Sequence, residues 1–436
     1  MASSVLIQTP SLFLSTILLL FCFISLCNAQ ASSTSRPKRI ILPITKDAST
    51  LQYLTQIKQG TPLVSKSLVL HIGAELLWVD CEKGYISSTN RSINCFSNLC
   101  KKLKPKYGPG TCIKGKRAGY RGQWFCVVTP HNDVSPNQSK SVYGSGDLSS
   151  DVVSVQLFIN GSKAGPSAKV QRFAFGCGST SLLKGLAKGV KGITSFGRSE
   201  LSLPSQFASA FRIPRIFAMC LPSVTSSDSR GAVVFGGGPY NMPLGNEISK
   251  QLTYTPLKIN PNDPAEYNIQ VTAITIDRKQ VPIDSKLFGW TKISTVIPYT
   301  IMHTSIYKTF TRVFIEKAKG MNNITQVAPA APFGVCFSDQ NIWLNRLGPM
   351  VPQVDLVMHK ADVKWSLFGS NSMVRVNDDV YCLAFVDGGK KKMDSAIVIG
   401  GYQMEENLLE FNLAKSTLGF KSSLLGITSC LTLIEG

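Results

Sequence analysis

The sequence has few acidic side chains and few histidines. It contains 26 Asp and Glu residues against 46 Lys and Arg, which gives a formal net charge of +20 and an isoelectric point of about 9.5. The four histidines, His71, His131, His303 and His359, are scattered, and no Cys-x-x-Cys pair occurs. No group of residues therefore has the ligand spacing of a zinc site, and we expect neither a metal nor a cofactor.

Charge is absent from residues 1–29, and no later apolar run is long enough to cross a bilayer. Residues 11–26 are largely apolar and lead into Cys27-Asn28-Ala29, a pattern typical of a secretory signal peptide cleaved after Ala29. A membrane anchor is the alternative, but the run is short for a span and no basic cluster follows it directly. We therefore expect a secreted, extracellular protein.

Secretion places the cysteines in an oxidising compartment. Of the 12 cysteines, Cys22 and Cys27 lie in the predicted signal, and the ten that remain predict five disulfides. Four Asn-x-Ser/Thr sequons lie in polar stretches and predict glycosylated surface loops. They begin at Asn90, Asn137, Asn160 and Asn323.

The positive charge limits the classes of partner. Nucleic acid is one class that such a charge attracts, but no RNA- or DNA-binding motif accompanies it, and secretion argues against it. Acidic secreted proteins and acidic wall polysaccharides are better matches. Solubility and retention among acidic extracellular polysaccharides explain the charge equally well. The dense basic runs at residues 101–106 and 390–392 have the composition of solvated faces.

Short apolar segments punctuated by Gly, Pro, Ser and Asn predict strands rather than helices. The predicted strands include residues 66–70, 152–159, 171–175, 232–235, 270–276 and 396–399. Residues 305–319 have the best helical period. We expect residues 38–57 to supply edge strands and residues 87–137 to form an irregular segment held by disulfides. At 436 residues, the chain is long enough for two domains.

Carboxylates are missing from two places where a known chemistry requires them. Residues 68–81 (LVLHIGAELLWVDC) and 289–300 (GWTKISTVIPYT) resemble the two active-site loops of pepsin-like aspartic proteases. His71 and Ser294 stand where that family carries aspartates. That chemistry needs two carboxylates that share one proton, so the resemblance implies the fold without its catalytic dyad.

Neither loop offers a replacement. Asp80 lies nine residues past His71 in a predicted strand, and no carboxylate occurs between Asp284 and Glu316. His71 and Ser294 could act as base and nucleophile in principle, but no third group orients the imidazole and no oxyanion site is evident.

Further motifs extend the resemblance over nearly all of the chain after residue 38. Residues 190–206 and 396–420 resemble the segments that close the two lobes, and Tyr143 resembles the flap tyrosine. A plant subgroup with degenerate dyads contains cereal xylanase inhibitors, inhibitors of xyloglucan-specific endoglucanases, the extracellular dermal glycoprotein and basic 7S globulins. The motifs shared with it are LWVDC from Leu77, FGGGP from Phe235, ISTV from Ile293, APFGVC from Ala331, NSMV from Asn371 and GYQME from Gly401.

The resemblance implies an all-β, two-lobed pepsin-like fold with few short helices. The expected lobes are residues 30–240 and 241–436, joined near residues 236–252. It also implies the disulfides Cys336–Cys382, Cys220–Cys430 and Cys81–Cys177. The four cysteines left, Cys95, Cys100, Cys112 and Cys126, are expected to pair locally.

Three functions remain open. The first is a secreted inhibitor of microbial cell-wall glycoside hydrolases, acting in plant defence in the apoplast or cell wall. The others are a basic 7S-type storage or peptide-binding globulin and a working aspartic endopeptidase. For the inhibitor, Arg346 in Asn345-Arg-Leu-Gly-Pro is the first contact candidate, because the subgroup's endoglucanase inhibitors often carry a similar loop. Ile297 and Tyr299, beside the second loop, are the next candidates; a solvated loop arginine is the alternative for Arg346.

Overall fold

Short β-strands build most of the chain, as the apolar pattern predicts. The computed structural model describes residues 39–103, 112–114, 122–134, 142–159, 163–225, 230–240, 247–390, 395–425 and 427–430. The predicted signal peptide lies outside these residues. Within them, no helix has the length and apolar character that a membrane crossing requires.

The largest sheet runs through the middle of the molecule and joins its two halves. Listed across the sheet, its strands are Thr253–Pro256, Thr417–Lys421, Leu408–Asn412, Ile216–Cys220, Gly231–Phe235, Ile40–Lys46, Tyr53–Gln59, Val64–Val69, Gly192–Ile193, Trp78–Asp80, Lys163–Gly178, Gly146–Ile159, Trp124–Val128 and Cys112–Lys114, with Arg91–Ser92 beside Gly146–Ile159.

The prediction that residues 38–57 supply edge strands is wrong. Strand Ile40–Lys46 pairs with Gly231–Phe235 on one side and with Tyr53–Gln59 on the other, so it lies well inside the sheet. Its near-continuous apolar sequence, IILPITK, is the pattern of a strand buried on both faces.

Smaller sheets complete the second half and one edge of the first. The six-stranded sheet consists of Lys258–Asn260, Asp263–Ile269, Thr291–Ile293, Ile397–Ile399, Thr300–Met302 and Phe385–Asp387. Two four-stranded sheets consist of Lys279–Gln280, Ala273–Ile276, Val354–Val357 and Lys364–Leu367, and of Gln326–Val327, Cys336–Ser338, Val380–Leu383 and Met373–Asn377. Two hairpins pair Leu344–Asn345 with Gly348–Pro349 and His131–Asn132 with Val142–Tyr143.

Helices are few and mostly short among the described residues. They are α1 (Asn98–Lys102), α2 (Leu203–Phe211), α3 (Thr304–Lys319), α4 (Gly369–Ser372) and α5 (Gly401–Met404). Helix α3 confirms the helical period at residues 305–319. It buries Ile306, Phe310 and Phe314 on one face, and Gly320 caps its C-terminal end.

The core crosses from one half of the chain to the other. Strand Ile216–Cys220 pairs with Leu408–Asn412, and the rings of Phe217 and Phe411 stack with centroids 4.8 Å apart. Tyr267 packs on Phe411 at 4.6 Å and donates a hydrogen bond from its hydroxyl to the carbonyl of Phe196. Aromatic packing of this kind ties the halves together beyond the area that it buries.

Five disulfides link the ten cysteines that lie in the described part of the chain. They are Cys81–Cys177, Cys95–Cys112, Cys100–Cys126, Cys220–Cys430 and Cys336–Cys382. The number agrees with the even count of cysteines, and the pairs agree with the resemblance.

The same strand arrangement occurs twice. In each half, a short strand runs parallel to the strand before the loop of interest and antiparallel to the strand after it. Gly192–Ile193 occupies this place between Val64–Val69 and Trp78–Asp80, and Ile397–Ile399 occupies it between Thr291–Ile293 and Thr300–Met302. This repeat, with one copy in each half, agrees with the all-β, two-lobed pepsin-like fold that the resemblance implies. The expected lobe boundary near residues 236–252 stays a prediction.

Candidate functional site

The two loops that carry His71 and Ser294 are bonded to each other. Thr295, the residue after Ser294, donates its hydroxyl to the carbonyl of Leu70 at 2.7 Å. The hydroxyl oxygen of Thr295 also accepts a hydrogen bond from the backbone N–H of Ile72 at 3.2 Å. One threonine thus fixes both sides of the first loop, and the two loops meet at the floor of one cleft.

His71 is buried, and hydrogen bonds fix both its backbone and its imidazole ring. Its backbone N–H donates to the hydroxyl of Thr194 at 3.2 Å, and its carbonyl accepts the N–H of Phe196 at 3.0 Å. The N–H of Gly73 donates to Nδ1 of the imidazole at 3.0 Å. Because Nδ1 is an acceptor, the proton of the neutral ring lies on Nε2.

That Nε2 faces a carboxylate that the sequence did not point to. Asp133 places Oδ2 at 3.4 Å from Nε2 of His71 and at 3.3 Å from Nε2 of His131. The indole of Trp78 donates to the carbonyl of His131 at 2.9 Å, which fixes this strand against the first half. Asp133 therefore joins the first loop to the hairpin that contains Tyr143.

Glu266 and Lys292 lie on the other side of the first loop. They form an ion pair, and both side chains are largely buried. Glu266 lies next to Gly73, since a Cβ on that glycine would come within 3.4 Å of its Cγ. Asp133 and Glu266, the two carboxylates described at the cleft floor, therefore each have a partner.

The pKa values keep His71 neutral and Asp133 ionised. Burial lowers the pKa of His71, and Lys292 and His131 lower it further, against the opposing effect of Asp133. Burial raises the pKa of Asp133, but the hydrogen bonds with His131 and His71 outweigh it and hold the pKa well below its usual range. Two carboxylates sharing one proton would have the opposite signature, with one raised pKa.

Ser294 is 1% exposed, and its backbone N–H donates to the carbonyl of Ile399 at 2.9 Å. Among the described residues, its hydroxyl oxygen has no hydrogen-bond partner. The structure gives no contact that would let the His71 imidazole, which is committed to Gly73 and Asp133, take a proton from Ser294. The expectation that no third group orients the imidazole is wrong, because Gly73 and Asp133 hold the ring of His71. These contacts engage both ring nitrogens, so neither is directed at Ser294 as a base would be.

A cavity of about 290 Å³ lies beside the loops. Val296, Ile297 and Pro298 line one part of it, and Asp133 and Val134 line another. Of the predicted contact residues, Ile297 therefore faces the cleft.

Tyr143 and Tyr299 take different positions. Tyr143 is exposed on strand Val142–Tyr143, paired with His131, and the two rings lie 5.8 Å apart. The residues of its turn, 135–141, lie outside the described part of the chain. The ring of Tyr299 packs on Phe333 at 4.7 Å and on Tyr402 at 5.6 Å, an arrangement suited to supporting the loop.

Arg346 lies far from these groups in the chain, at the turn of the hairpin Leu344–Asn345 and Gly348–Pro349. The side chain is exposed. Within the turn, the N–H of Leu347 donates to Oδ1 of Asn345 at 2.8 Å. Gly348 has a φ of 93°, which favours glycine, and a Cβ there would lie 2.4 Å from the backbone N of Ser370.

The hairpin stands on a hydrogen-bonded base. The N–H of Ser370 in α4 donates to the carbonyl of Leu347 at 2.8 Å. Gln403 of α5 donates to the carbonyl of Asn371 in α4 at 3.0 Å, and its Oε1 accepts the N–H and hydroxyl of Thr300. These bonds run without a gap from the Arg346 hairpin to the strand that follows the Ser294 loop.

Two of the four predicted sequons can be placed. Asn323 is exposed and Asn90 is half-buried. Asn137 and Asn160 lie outside the described residues, as do residues 104–106 and 391–392 of the two basic runs. Use of the sequons stays a prediction.

Sequence reasoning missed Asp133, Glu266 and Lys292. Asp133 is 62 residues from His71, and no spacing signal links them. The only hint is its position two residues after His131 in a polar segment, which is too common a pattern to identify a contact. The exposed Trp343 before the hairpin was also missed, because tryptophan is usually assigned to a core.

Comparisons with known proteins agree with this geometry. The family described as xylanase inhibitor N-terminal matches residues 53–237, and the one described as xylanase inhibitor C-terminal matches residues 266–422. A protein named probable aspartic proteinase GIP2, from Nicotiana benthamiana, is 47% identical over 92% of this chain and 93% of its own. Gamma conglutin 1 from Prunus dulcis is 38% identical over 95% of each chain.

Solved structures of similar proteins share the fold of this chain. The crystal structure of edgp is 45% identical, with a TM-score of 0.82, over 91% of this chain and 98% of that chain. An aspartic proteinase from Irpex lacteus matches with a TM-score of 0.55 at 13% identity, over 90% of this chain and 99% of that one, which speaks for the fold alone.

Proposed function

The chain belongs to the xylanase-inhibitor family, and from that premise we propose that it is a secreted plant protein without peptidase activity that inhibits microbial cell-wall glycoside hydrolases. Its place of action is the apoplast or cell wall. Xyloglucan- or cellulose-directed endoglucanases are the first expected targets, ahead of xylanases, because the Arg346 loop resembles that of endoglucanase inhibitors.

The state of the cleft supports the lack of peptidase activity. His71 and Ser294 stand at the ends of the two strands that would present the catalytic pair. The carboxylates nearest to them are engaged: Asp133 with two imidazoles and Glu266 with Lys292. At the described part of the cleft, no free carboxyl pair is therefore left to activate a water in the way that this chemistry requires.

The Arg346 hairpin is the observation that carries the inhibitor proposal. Glycoside hydrolase clefts hold two essential carboxylates. An exposed arginine at the tip of a narrow hairpin has the shape to enter such a cleft and the charge to pair with a carboxylate, since its guanidinium binds bidentately. The base formed by Ser370, Asn371 and Gln403 holds the hairpin in place, which reduces the entropy lost on binding.

The net charge of the protein affects the rate at which it meets a target enzyme. A surplus of +20 attracts acidic secreted enzymes over distances comparable with the Debye length. Association should therefore slow as salt is added, while the dissociation rate changes little.

The test is an inhibition panel of purified fungal endoglucanases and xylanases. The wild-type protein should inhibit at least one enzyme tightly. Arg346→Ala should weaken that inhibition by about 2–5 kcal/mol, the cost of removing one partner of a buried charge pair. Arg312→Ala is the matched control, because Arg312 is an exposed arginine on the outer face of α3. Loss of inhibition in both variants would point to charge in general and remove Arg346 as a site.

A globulin without an enzyme target is the second candidate. The identity with gamma conglutin 1 favours it, because that name carries no inhibitor function. The same panel separates the two functions: absence of inhibition across xyloglucan-, cellulose- and xylan-active enzymes supports the globulin.

A further inference from the structure

A second pocket lies in the first half of the chain. Its volume is about 450 Å³, within the range of sites that hold small organic ligands. Residues of α2 line one part of it, and residues of strand Lys163–Gly178 line another. None of its lining residues belongs to the two loops or to the Arg346 hairpin, so the proposed inhibitor function leaves this pocket unused.

One glutamine of α2 holds the helix against the strand. The amide nitrogen of Gln206 donates to the carbonyls of Ala174 and Leu201 at 2.9 and 2.7 Å. Its Oε1 accepts the backbone N–H of Ala174 at 2.7 Å. Because Ala174 belongs to strand Lys163–Gly178, these bonds fix both parts of the lining before a ligand arrives. A preformed pocket loses less entropy when it binds.

Arg215 brings a positive charge to the pocket, and the protein orients its guanidinium. Nε donates to the hydroxyl oxygen of Ser205 at 2.9 Å, and Nη2 donates to the carbonyl of Arg198 at 2.6 Å. In the described structure these two bonds leave part of the donor set of the guanidinium for an anion. Arg172 also lines the pocket, and it is exposed.

The arginines at this pocket lack an acidic partner. Among the described residues, no carboxylate forms an ion pair with Arg172, Arg198 or Arg215. Burial lowers the pKa of Arg198, and the nearby Arg215 lowers it further, so positive charge accumulates here. Glu200 also lines the pocket, but it is exposed and solvent screens its charge. Since partly buried charges are usually paired, an anion from outside the chain would supply the missing partner.

Another part of the lining is apolar. Leu99, Val170, Leu201 and Ala210 contribute aliphatic side chains beside the arginines. An inorganic anion would leave this apolar surface in contact with water, whereas an apolar ring attached to the anionic group would cover it. The combined lining therefore fits an amphipathic organic anion.

We propose that this pocket binds a small organic acid, with its carboxylate on Arg215 and Arg172 and its apolar body against Leu99, Val170 and Leu201. A guanidinium suits a carboxylate because it donates two parallel hydrogen bonds to the two oxygens. This binding function goes beyond the inhibitor function and is independent of it, because its residues all belong to the first half of the chain and it requires no target enzyme.

The test is isothermal titration calorimetry of the full secreted protein with 2-naphthoate, an aromatic acid that combines a carboxylate with an apolar ring system. Binding should saturate at one molecule per chain. The uncharged methyl ester of the probe should bind about tenfold more weakly or worse, because it loses the charge-assisted hydrogen bonds. Acetate, which keeps the carboxylate without the apolar body, should be weaker by a similar factor.

Four variants locate the bound probe. Arg215→Gln should weaken binding about tenfold or more, and Arg172→Gln should weaken it by a smaller factor, because Arg172 is exposed. Ala210→Trp should abolish binding by filling the pocket, and since Ala210 is exposed on α2, the fold can accommodate the larger side chain. Arg212→Gln is the matched control, because Arg212 is exposed directly after α2 and does not line the pocket. Circular dichroism and thermal unfolding should show each variant folded, and Ala210→Trp decides the result if Arg215→Gln is not.

Several results would overturn the inference. They are the absence of saturable binding, binding that persists in Ala210→Trp, and equal affinity for the acid and its ester. Weakening in Arg212→Gln equal to that in Arg215→Gln would attribute binding to net charge and remove the pocket as its site. Trigalacturonate that binds more tightly than 2-naphthoate would identify the occupant as an acidic polysaccharide and would also overturn the inference. None of these results depends on whether the protein inhibits an enzyme.

Discussion

A buried carboxyl between the two halves of the chain should contribute more to the free energy of unfolding in mild acid than at neutral pH. Glu405 follows α5 and lies almost fully inside the protein. Its Oε1 accepts the hydroxyl of Tyr53 at 2.6 Å and lies 2.6 Å from Nζ of Lys46. Burial and the neighbouring Glu405 raise the pKa of Tyr53 well above its ordinary value, so its phenol stays protonated and donates.

Burial also raises the pKa of Glu405, from 4.5 to about 7, in spite of the opposing effects of Lys46 and Tyr53. Glu406 adds to the rise. Between about pH 7 and 4.5, the folded state therefore binds a proton that the unfolded state does not. By linkage, the contribution of Glu405 to the free energy of unfolding rises as the pH falls through this window and stops rising once the unfolded carboxyl is also protonated. At about 1.4 kcal/mol for each pH unit, the contribution is about 3 kcal/mol.

The measurement is urea unfolding at a series of pH values from about 8 to about 4.5. The test variant combines Glu405→Gln with Lys46→Met, because removal of one charge alone would leave the other buried without a partner. The amide can still accept from Tyr53. The difference in unfolding free energy between wild type and this variant should change by about 3 kcal/mol across the window, while carboxyls common to both proteins cancel.

An exposed ion pair provides the control. Glu247 and Lys250 lie 3.0 Å apart on the surface, and the same double change there should leave the pH dependence unaltered. A wild-type minus variant difference that stays flat between pH 7 and 4.5 would refute the reasoning. It would mean that the Glu405 carboxyl is as well solvated or paired in the fold as in the unfolded chain.

Three further predictions concern the cleft and the disulfides. The mature protein should not cleave unfolded substrates at acid pH, and pepstatin-sensitive turnover that persists through purification would contradict this. Asp133→Asn should lower the free energy of unfolding by about 1 kcal/mol in urea titrations, because two imidazoles lose a charged acceptor; unchanged stability would show that the contacts with His71 and His131 are too weak to matter. Replacing Cys336 and Cys382, 46 residues apart, by serine should cost about 4 kcal/mol by loop-closure arithmetic, and a thermal transition unchanged from that of wild type would argue against it.

Local signals in the sequence were enough to predict many elements. The helix at residues 305–319 was predictable because Ile306, Phe310 and Phe314 recur at the helical period, and that period depends on no distant residue. The two loops were identifiable from their resemblance to a known pair of loops, each of which follows an apolar strand.

Strand order was harder to predict because it depends on distant partners. Strand Ile40–Lys46 pairs with Gly231–Phe235, about 190 residues later, and no local pattern names that partner. Its continuous apolar run is nevertheless typical of a central strand.

The charges of the cleft could not be predicted for the same reason. Glu266 and Lys292 belong to neighbouring strands of one sheet, and Asp133 reaches His71 from another part of the chain. Each of these residues has an ordinary sequence context. Only the packing of the strands makes them neighbours. The exposure of a side chain is hard to predict for the same reason. A tryptophan such as Trp343 is usually expected in the core, but here it is exposed.

The hydrogen bonds that hold the two loops explain how the fold can persist without the catalytic pair of aspartates. Thr295 bonds Leu70 and Ile72, and Thr194 bonds the backbone of His71. All of these contacts join a threonine hydroxyl to main-chain groups, so the side chains at positions 71 and 294 are free to differ without loss of the loops. His71 then makes its own contacts with Gly73 and Asp133. The Arg346 hairpin is joined to this same framework through Gln403, which bonds Asn371 and Thr300.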